Sequence, residues 1–312
     1  MICRGRAMNS GGRVRPCFTA GNGGNPVTVS SWQECVQGVV SKAAGENFPV
    51  ALRLLPRGRR DHLLAVYAFA RYVDDIGDEA EPADRLRLLG DVDADLDRLY
   101  AGTTPRLWPV RGLAEVVEAC SVPAEPFRRL VEAGRRDQTV TRYGTFDDLL
   151  GYCELSANPV GHIVLHVFGA ATAQRAALAD HVCTALQVIE HCQDVGEDYT
   201  RHGRVYLPGA DLRRFGCAED DLARASTPAR LRRVVALQVS RALRLLEHGR
   251  PLVASLTGQA RLAVAGYVAG GLATAAALER AAYDVLGRAV RPRRGRLLAA
   301  WLGLVTAAGV GR

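Results

Sequence analysis

An all-α fold is predicted on three observations. Leu, Ala, Val and Arg dominate while aromatic residues make up only 6% of the chain, a balance that suits packed helices better than a sheet sandwich. From Ser31 onward apolar residues recur at three- and four-residue intervals, and Pro and Gly fall between the periodic segments. No alternating strand pattern competes with that period. With 312 residues, 48% of them hydrophobic, the chain can bury a substantial core. No repeat or linker divides it, so the expected organisation is a disordered extension over 1–30 and one helical domain over 31–312.

The elements follow in order. Residues 1–30 are rich in Gly, Asn and Ser without periodicity, so no structure is expected there. SWQECVQGVVSKAAG (31–45) is the first helical segment, and RRDHLLAVYAFARYVDDIGDEA (59–80) is the longest early one. Next come ADRLRLLGDVDADLDRLYAG (83–102), GLAEVVEAC (112–120) and AEPFRRLVEAGRRDQ (124–138). TFDDLLGYCELSANPVGHIVLHVFGA (145–170) and ADHVCTALQVIEHCQDVGEDY (179–199) are followed by three more after Thr227, roughly ten helices in all.

Charge excludes one broad class of function. Of the formal net +7, four Arg lie in residues 1–31 and six in residues 286–312, neither stretch carrying an acid, so the body between them is acidic. A nucleic-acid-binding core shows the reverse. The basic ends read instead as solvated tails or contacts with anionic lipid head groups. The eight Cys show no paired short spacing, which argues against a zinc or dithiol motif. The first residues have no continuous apolar stretch of the secretory kind, and a cytoplasmic location is expected. LLAAWLGLVTAAGVG from Leu297 is too short to span a bilayer comfortably. It is expected to be a final core helix, with a position against a membrane surface as the alternative.

Acidic residues concentrate in two places. Arg71, Asp74, Asp75 and Asp78 lie within YAFARYVDDIGDEA, where Asp74 and Asp78 share a helix face and Arg71 sits one turn earlier. Asp194 and Asp198 repeat the spacing in QVIEHCQDVGEDY, with Gln187, Glu190 and His191 on the preceding turns. Carboxylates one turn apart can hold a hard cation. Mg²⁺ in particular takes one or two carboxylates, waters and substrate phosphate oxygens. Two such helices across a cavity could gather Mg²⁺ around a diphosphate and make it a better leaving group. A lone pair of this kind is more often a solvated helix end; the pairing, and the apolar stretches LLAVYAFARYV and HVCTALQVI before each, favour function.

These residues resemble the squalene and phytoene synthase family from about Glu46 to Arg294. YAFARYVDDIGDE is similar to the family's first aspartate-rich motif, QDVGEDYTRHGRVYLP (193–208) to the second with its following flap, and ENFPVALRLLP (46–56) to its N-terminal substrate segment. The resemblance implies an isoprenoid-synthase-type helical bundle around a central cavity, with Asp74, Asp78, Asp194 and Asp198 as the aspartates of a Mg²⁺-diphosphate site. It implies that Tyr67 and Arg71 touch substrate and diphosphate, that Gln187 is a polar cavity residue, that Arg204 and Tyr206 sit in the flap, and that Tyr283 lies near the cavity's end. Alternatives stand beside these: a salt bridge from Arg71 to Asp75 or Asp78, core packing for Tyr67 and Tyr283, and a buried backbone partner for Gln187. Glu190 replaces an Asn common in the family, which implies an additional carboxylate metal ligand, and Leu52 replaces a small polar residue.

Within the family, SANPVG in YCELSANPVGHIVLHVFG (152–169) resembles bacterial hydroxysqualene synthases of hopanoid pathways. Asn158 would place an amide beside the cavity where a helix is interrupted, with capping of that break as the alternative, and Pro159 keeps the preceding residue out of regular helix. His162 and His166 lack the glutamate of a zinc motif and are expected to pack in the core. The implied reaction is Mg²⁺-dependent conversion of presqualene diphosphate and water to hydroxysqualene and diphosphate, with substrate handed over by a presqualene diphosphate synthase. The alternatives are condensation of two farnesyl diphosphates to presqualene diphosphate, squalene or dehydrosqualene, and a non-catalytic helical assembly factor. No strand followed by GxGxxG is present.

Overall fold

The computed structural model describes residues 55–307. The extension 1–30, the segment 31–45, Leu52 and nearly all of ENFPVALRLLP lie outside the described residues. Among those described there are fourteen α-helices and one 3₁₀ turn, and the only β pairing is an isolated bridge between Arg142 and Val205.

The helix that carries the first acidic motif, α1 (Arg57–Glu79), buries Leu63, Val66, Tyr67, Phe69, Ala70, Val73 and Ile76, the three- and four-residue spacing of one inward face. Next are α2 (Arg85–Tyr100), the short α3 (Trp108–Arg111) and α4 (Ala114–Cys120), then α5 (Ala124–Arg136), which packs on α1 and α2. Residues 145–170, one periodic segment in the sequence, form two helices, interrupted beside Asn158 and Pro159 as expected. In α6 (Phe146–Ser156) Thr145 and Asp148 cap each other reciprocally, satisfying two first-turn donors. α6 stops at Ala157, and α7 (Asn158–Val167) restarts with Pro159 in its first turn, where a missing N–H costs nothing.

The centre of the fold is α8 (Ala173–Gln193), against which α6, α7, α11 and α13 pack. It passes at Asp194 into α9 (Val195–His202), then α10 (Gly209–Arg214) and a 3₁₀ turn (Glu219–Ala223). The C-terminal third holds α11 (Ala229–Gly249), α12 (Pro251–Ser255), α13 (Gly258–Arg280) and α14 (Arg294–Ala307). Small residues let these helices approach α8 closely. A Cβ on Gly161 would meet the Cys183 Sγ at 2.6 Å, and one on Gly271 would meet Leu186 Cδ2 at 2.6 Å. By length and composition α13 could cross a membrane, but 72% of its apolar window is buried against the other helices, so it is a core helix.

Candidate active site

Between α1, α7, α8, α12 and α13 lies an apolar cavity of about 720 Å³, part of it open to solvent. Its lining offers few hydrogen-bonding side chains: Tyr67, Cys183 and Tyr267. Burial pushes the Cys183 thiol up to about 12 and raises the Tyr267 phenol, with the neighbouring Cys183 adding to the latter, so both stay neutral.

Two of the lining helices lead to the acidic residues. On α1, Leu63, Val66 and Tyr67 line the cavity and the following turns carry Arg71, Asp74 and Asp78; on α8, Val182, Cys183 and Leu186 line it and the next turns carry Gln187, Glu190 and Asp194. The second pair straddles a helix junction: Asp194 ends α8 and begins α9, while Asp198 keeps the one-turn relation by donating its backbone N–H to the Asp194 carbonyl at 2.8 Å.

A chain of contacts joins the two pairs. The Arg204 guanidinium, 3% exposed, donates to Asp78 Oδ1 at 2.6 Å and to the Asp137 and Gly77 carbonyls, and its Nη1 lies 3.7 Å from Asp137 Oδ2. The Tyr206 hydroxyl donates to Asp137 Oδ1 at 3.0 Å and the Tyr152 hydroxyl to Oδ2 at 2.8 Å. Tyr206 stacks on the His191 ring at 3.8 Å, and His191 Nδ1 lies 3.8 Å from Asp198 Oδ2. The Gln187 amide is 3.0 Å from His191 Nε2; with that amide donating, the imidazole accepts at Nε2 and carries its proton at Nδ1, toward Asp198. His202 adds a second basic group 3.7 Å from Asp78.

Asp137 and Tyr152 hold this centre together and were not singled out from sequence. Burial first, and the Asp137 charge second, raise the Tyr152 phenol well above its usual range, so it is neither acid nor base near neutrality. Tyr152 stood inside the quoted segment 152–169, and Asp137 ends a run of basic residues on α5. Neither type nor spacing distinguishes them; only the tertiary arrangement does. A further hollow of about 270 Å³, lined in part by Asp74, Asp137, Tyr152 and Ser156, lies between α1, α5 and α6.

The other expected residues are placed as follows. Arg71 Nε lies 2.8 Å from Asp75 Oδ1 as an i,i+4 ion pair. Asn158 accepts from the Thr184 hydroxyl at 2.9 Å, tying α7 to α8. Glu190 is buried one turn before Asp194 on α8. Tyr283 is half-buried in a left-handed turn after α13 and does not line the cavity; Tyr267, within α13, does. His162, expected in the core, pairs instead with Asp180 at 2.7 Å.

The donor chemistry of the acidic end suits a hard divalent cation, since Asp74, Asp78, Glu190, Asp194 and Asp198 offer only oxygen. Among the described residues no three His, Cys, Asp or Glu side chains converge as a ready-made cage. That fits an ion completed by diphosphate oxygens and water rather than by protein alone.

Comparison with known proteins identifies the family and the fold. Residues 41–296 match the squalene/phytoene synthase family. A hydroxysqualene synthase from Rhodopseudomonas palustris is 38% identical over 68% of this chain and 71% of its own. A presqualene diphosphate synthase from the same organism is 31% identical over 64% of this chain and 72% of its own. The crystal structure of squalene synthase HpnC from Alicyclobacillus acidocaldarius superposes with a TM-score of 0.71 at 39% identity, covering 83% of this chain and 97% of that one. A dehydrosqualene synthase structure, 23% identical with a TM-score of 0.75, shares the fold.

Proposed function

The chain belongs to the squalene/phytoene synthase family, whose members are isoprenoid synthases, and from that premise we propose that it converts presqualene diphosphate and water to hydroxysqualene and diphosphate. Membership sets aside the assembly-factor reading. The observation that carries an isoprenoid diphosphate substrate is the run of α1 and α8 from an apolar cavity into paired carboxylates. The 38% identity to a hydroxysqualene synthase supports hydration over condensation.

The residues have separable tasks. The apolar walls hold the isoprenoid chains and exclude water. Asp74, Asp78, Asp194 and Asp198, with Glu190, would hold Mg²⁺, which when bound neutralises the diphosphate and eases its departure. Arg204 holds the Asp78 carboxylate in place before substrate arrives. The C–O bond breaks with its electron pair leaving on diphosphate; the cyclopropylcarbinyl cation rearranges; water adds to the product cation and loses a proton. Rings of Tyr143, Tyr152 and Tyr206, with centroids 5.3 to 5.7 Å apart, pack on one another beside Asp137 and brace the acidic end. Substrate would come from an enzyme joining two farnesyl diphosphates.

Incubation of presqualene diphosphate in ¹⁸O-labelled water, followed by mass spectrometry of the extracted lipid, tests this. Labelled hydroxysqualene formed without NADPH is the expected result. Squalene appearing only with NADPH, or farnesyl diphosphate consumed to presqualene diphosphate and no further, replaces hydration with the condensing alternative.

A further inference from the structure

From Leu297 to Val305 α14 carries apolar residues on all sides, a composition normally enclosed by protein, yet among the described residues only one side is covered. Ala300, Trp301, Leu304 and Val305 pack toward the core, with Leu304 buried and the Trp301 indole N–H donating to the Leu262 carbonyl of α13 at 2.9 Å. On the other side Leu298 and Leu302, one turn apart, are 52% and 49% exposed, beside exposed Ala299, Gly303 and Thr306.

Cations crowd at the start of the same helix. Arg288, Arg291, Arg293, Arg294 and Arg296 are all exposed, and Arg294 stands one turn before Leu298 in the stripe that continues to Leu302. No acid occurs in residues 286–312. The Arg280 guanidinium, at the end of α13, is shifted below its ordinary value by desolvation first and by the neighbouring Arg296 and Arg293 next.

We propose that this face of α14, with the arginine cluster at its start, docks on an anionic phospholipid bilayer, the guanidinium groups meeting headgroup phosphates and Leu298 and Leu302 entering the acyl boundary. A segment lying in the interface needs both an apolar face to enter the acyl boundary and cations to meet the headgroups. A nucleic acid would use the arginines and leave the leucines in water. A second copy of this chain, paired through the same patch by a two-fold axis, would set the arginine clusters against each other.

The full chain, mixed with vesicles of phosphatidylcholine or of equimolar phosphatidylcholine and phosphatidylglycerol, is sedimented. Cosedimentation with the anionic vesicles alone, weakened by added salt, is expected. Arg293→Glu with Arg296→Glu, and separately Leu298→Asp with Leu302→Asp, should each lower partitioning roughly tenfold or more. Both should leave circular dichroism and turnover on detergent-dispersed substrate unchanged. Parent protein remaining in the supernatant overturns the proposal. So does undiminished binding by both variants, which would move the contact to another basic segment. A parent dimer that the leucine variant converts to monomer also overturns it, assigning the face to a second copy.

Discussion

At the polar end of the cavity, side chains far apart in sequence are tied by directional bonds: Arg204 to Asp78, and Tyr152 and Tyr206 to Asp137. Along the apolar body, α7 and α8 approach most closely at Gly161, where only a missing Cβ leaves room for Cys183. The first construction fails when a partner is removed, because a buried charge is left uncompensated. The second fails when volume is added, because close-packed helices have nowhere to move.

The largest effect should come from breaking the polar end. Asp78→Ala is expected to lower turnover by orders of magnitude at saturating Mg²⁺ and to lower unfolding free energy by about 3 kcal/mol, since Arg204 stays buried. Asp194→Ala, at the half-exposed junction of α8 and α9, should lose turnover as severely but cost about 1 kcal/mol or less. Product assays beside urea melts separate the two. Equal stability of both variants would mean that the Arg204 bond does not brace the site, and near-normal turnover in either would remove that aspartate from it.

An intermediate effect tests the apolar body. Gly161→Ala should destabilise by about 1–3 kcal/mol through overpacking against Cys183. Adding Cys183→Ala should recover much of the loss, giving a favourable coupling in a double-mutant cycle. Additive losses would show that the Sγ contact is not what limits the crossing.

The smallest effect lies outside both regions. Asp221, beneath the 3₁₀ turn, is gripped by Arg230 through both carboxylate oxygens at 2.6 Å. That grip, with help from the Ala218 N–H and Arg224, lowers its pKa from 3.8 to about 2. A carboxyl whose folded value is depressed stabilises above its unfolded value and loses that contribution as pH falls through the folded one. Urea midpoints of the parent should therefore drop more steeply between pH 3.8 and about 2 than those of Asp221→Asn, with turnover near neutrality alike. Arg230 is 40% exposed, so the difference should be modest. Identical acid profiles would mean the pair contributes nothing.

Legibility followed the same division. Long helices such as α1, α8 and α13 are readable because several turns repeat one apolar stripe. The turns α3, α4, α10 and α12, four to seven residues long, have little period to read, and only α4 was anticipated. The break at Ala157 was signalled by Asn158 and Pro159, whereas the one at Asp194 had no comparable breaker. The spacing of Asp74, Asp78, Asp194 and Asp198 was visible because it is local. Asp137 and Tyr267 were not, since a lone Asp or a Tyr on a helix acquires its meaning only from what packs beside it.

The Arg204–Asp78 bond spans 126 positions of the chain, and that distance has a meaning in time. At about 5–20 residues per second, a ribosome releases the guanidinium roughly 6–25 seconds after the carboxylate it will hold. Through that interval the Asp78 carboxylate has water and solution ions in place of Arg204. The joined acidic centre thus waits for about two-thirds of the nascent chain, and a messenger cut short before residue 204 encodes helices without it.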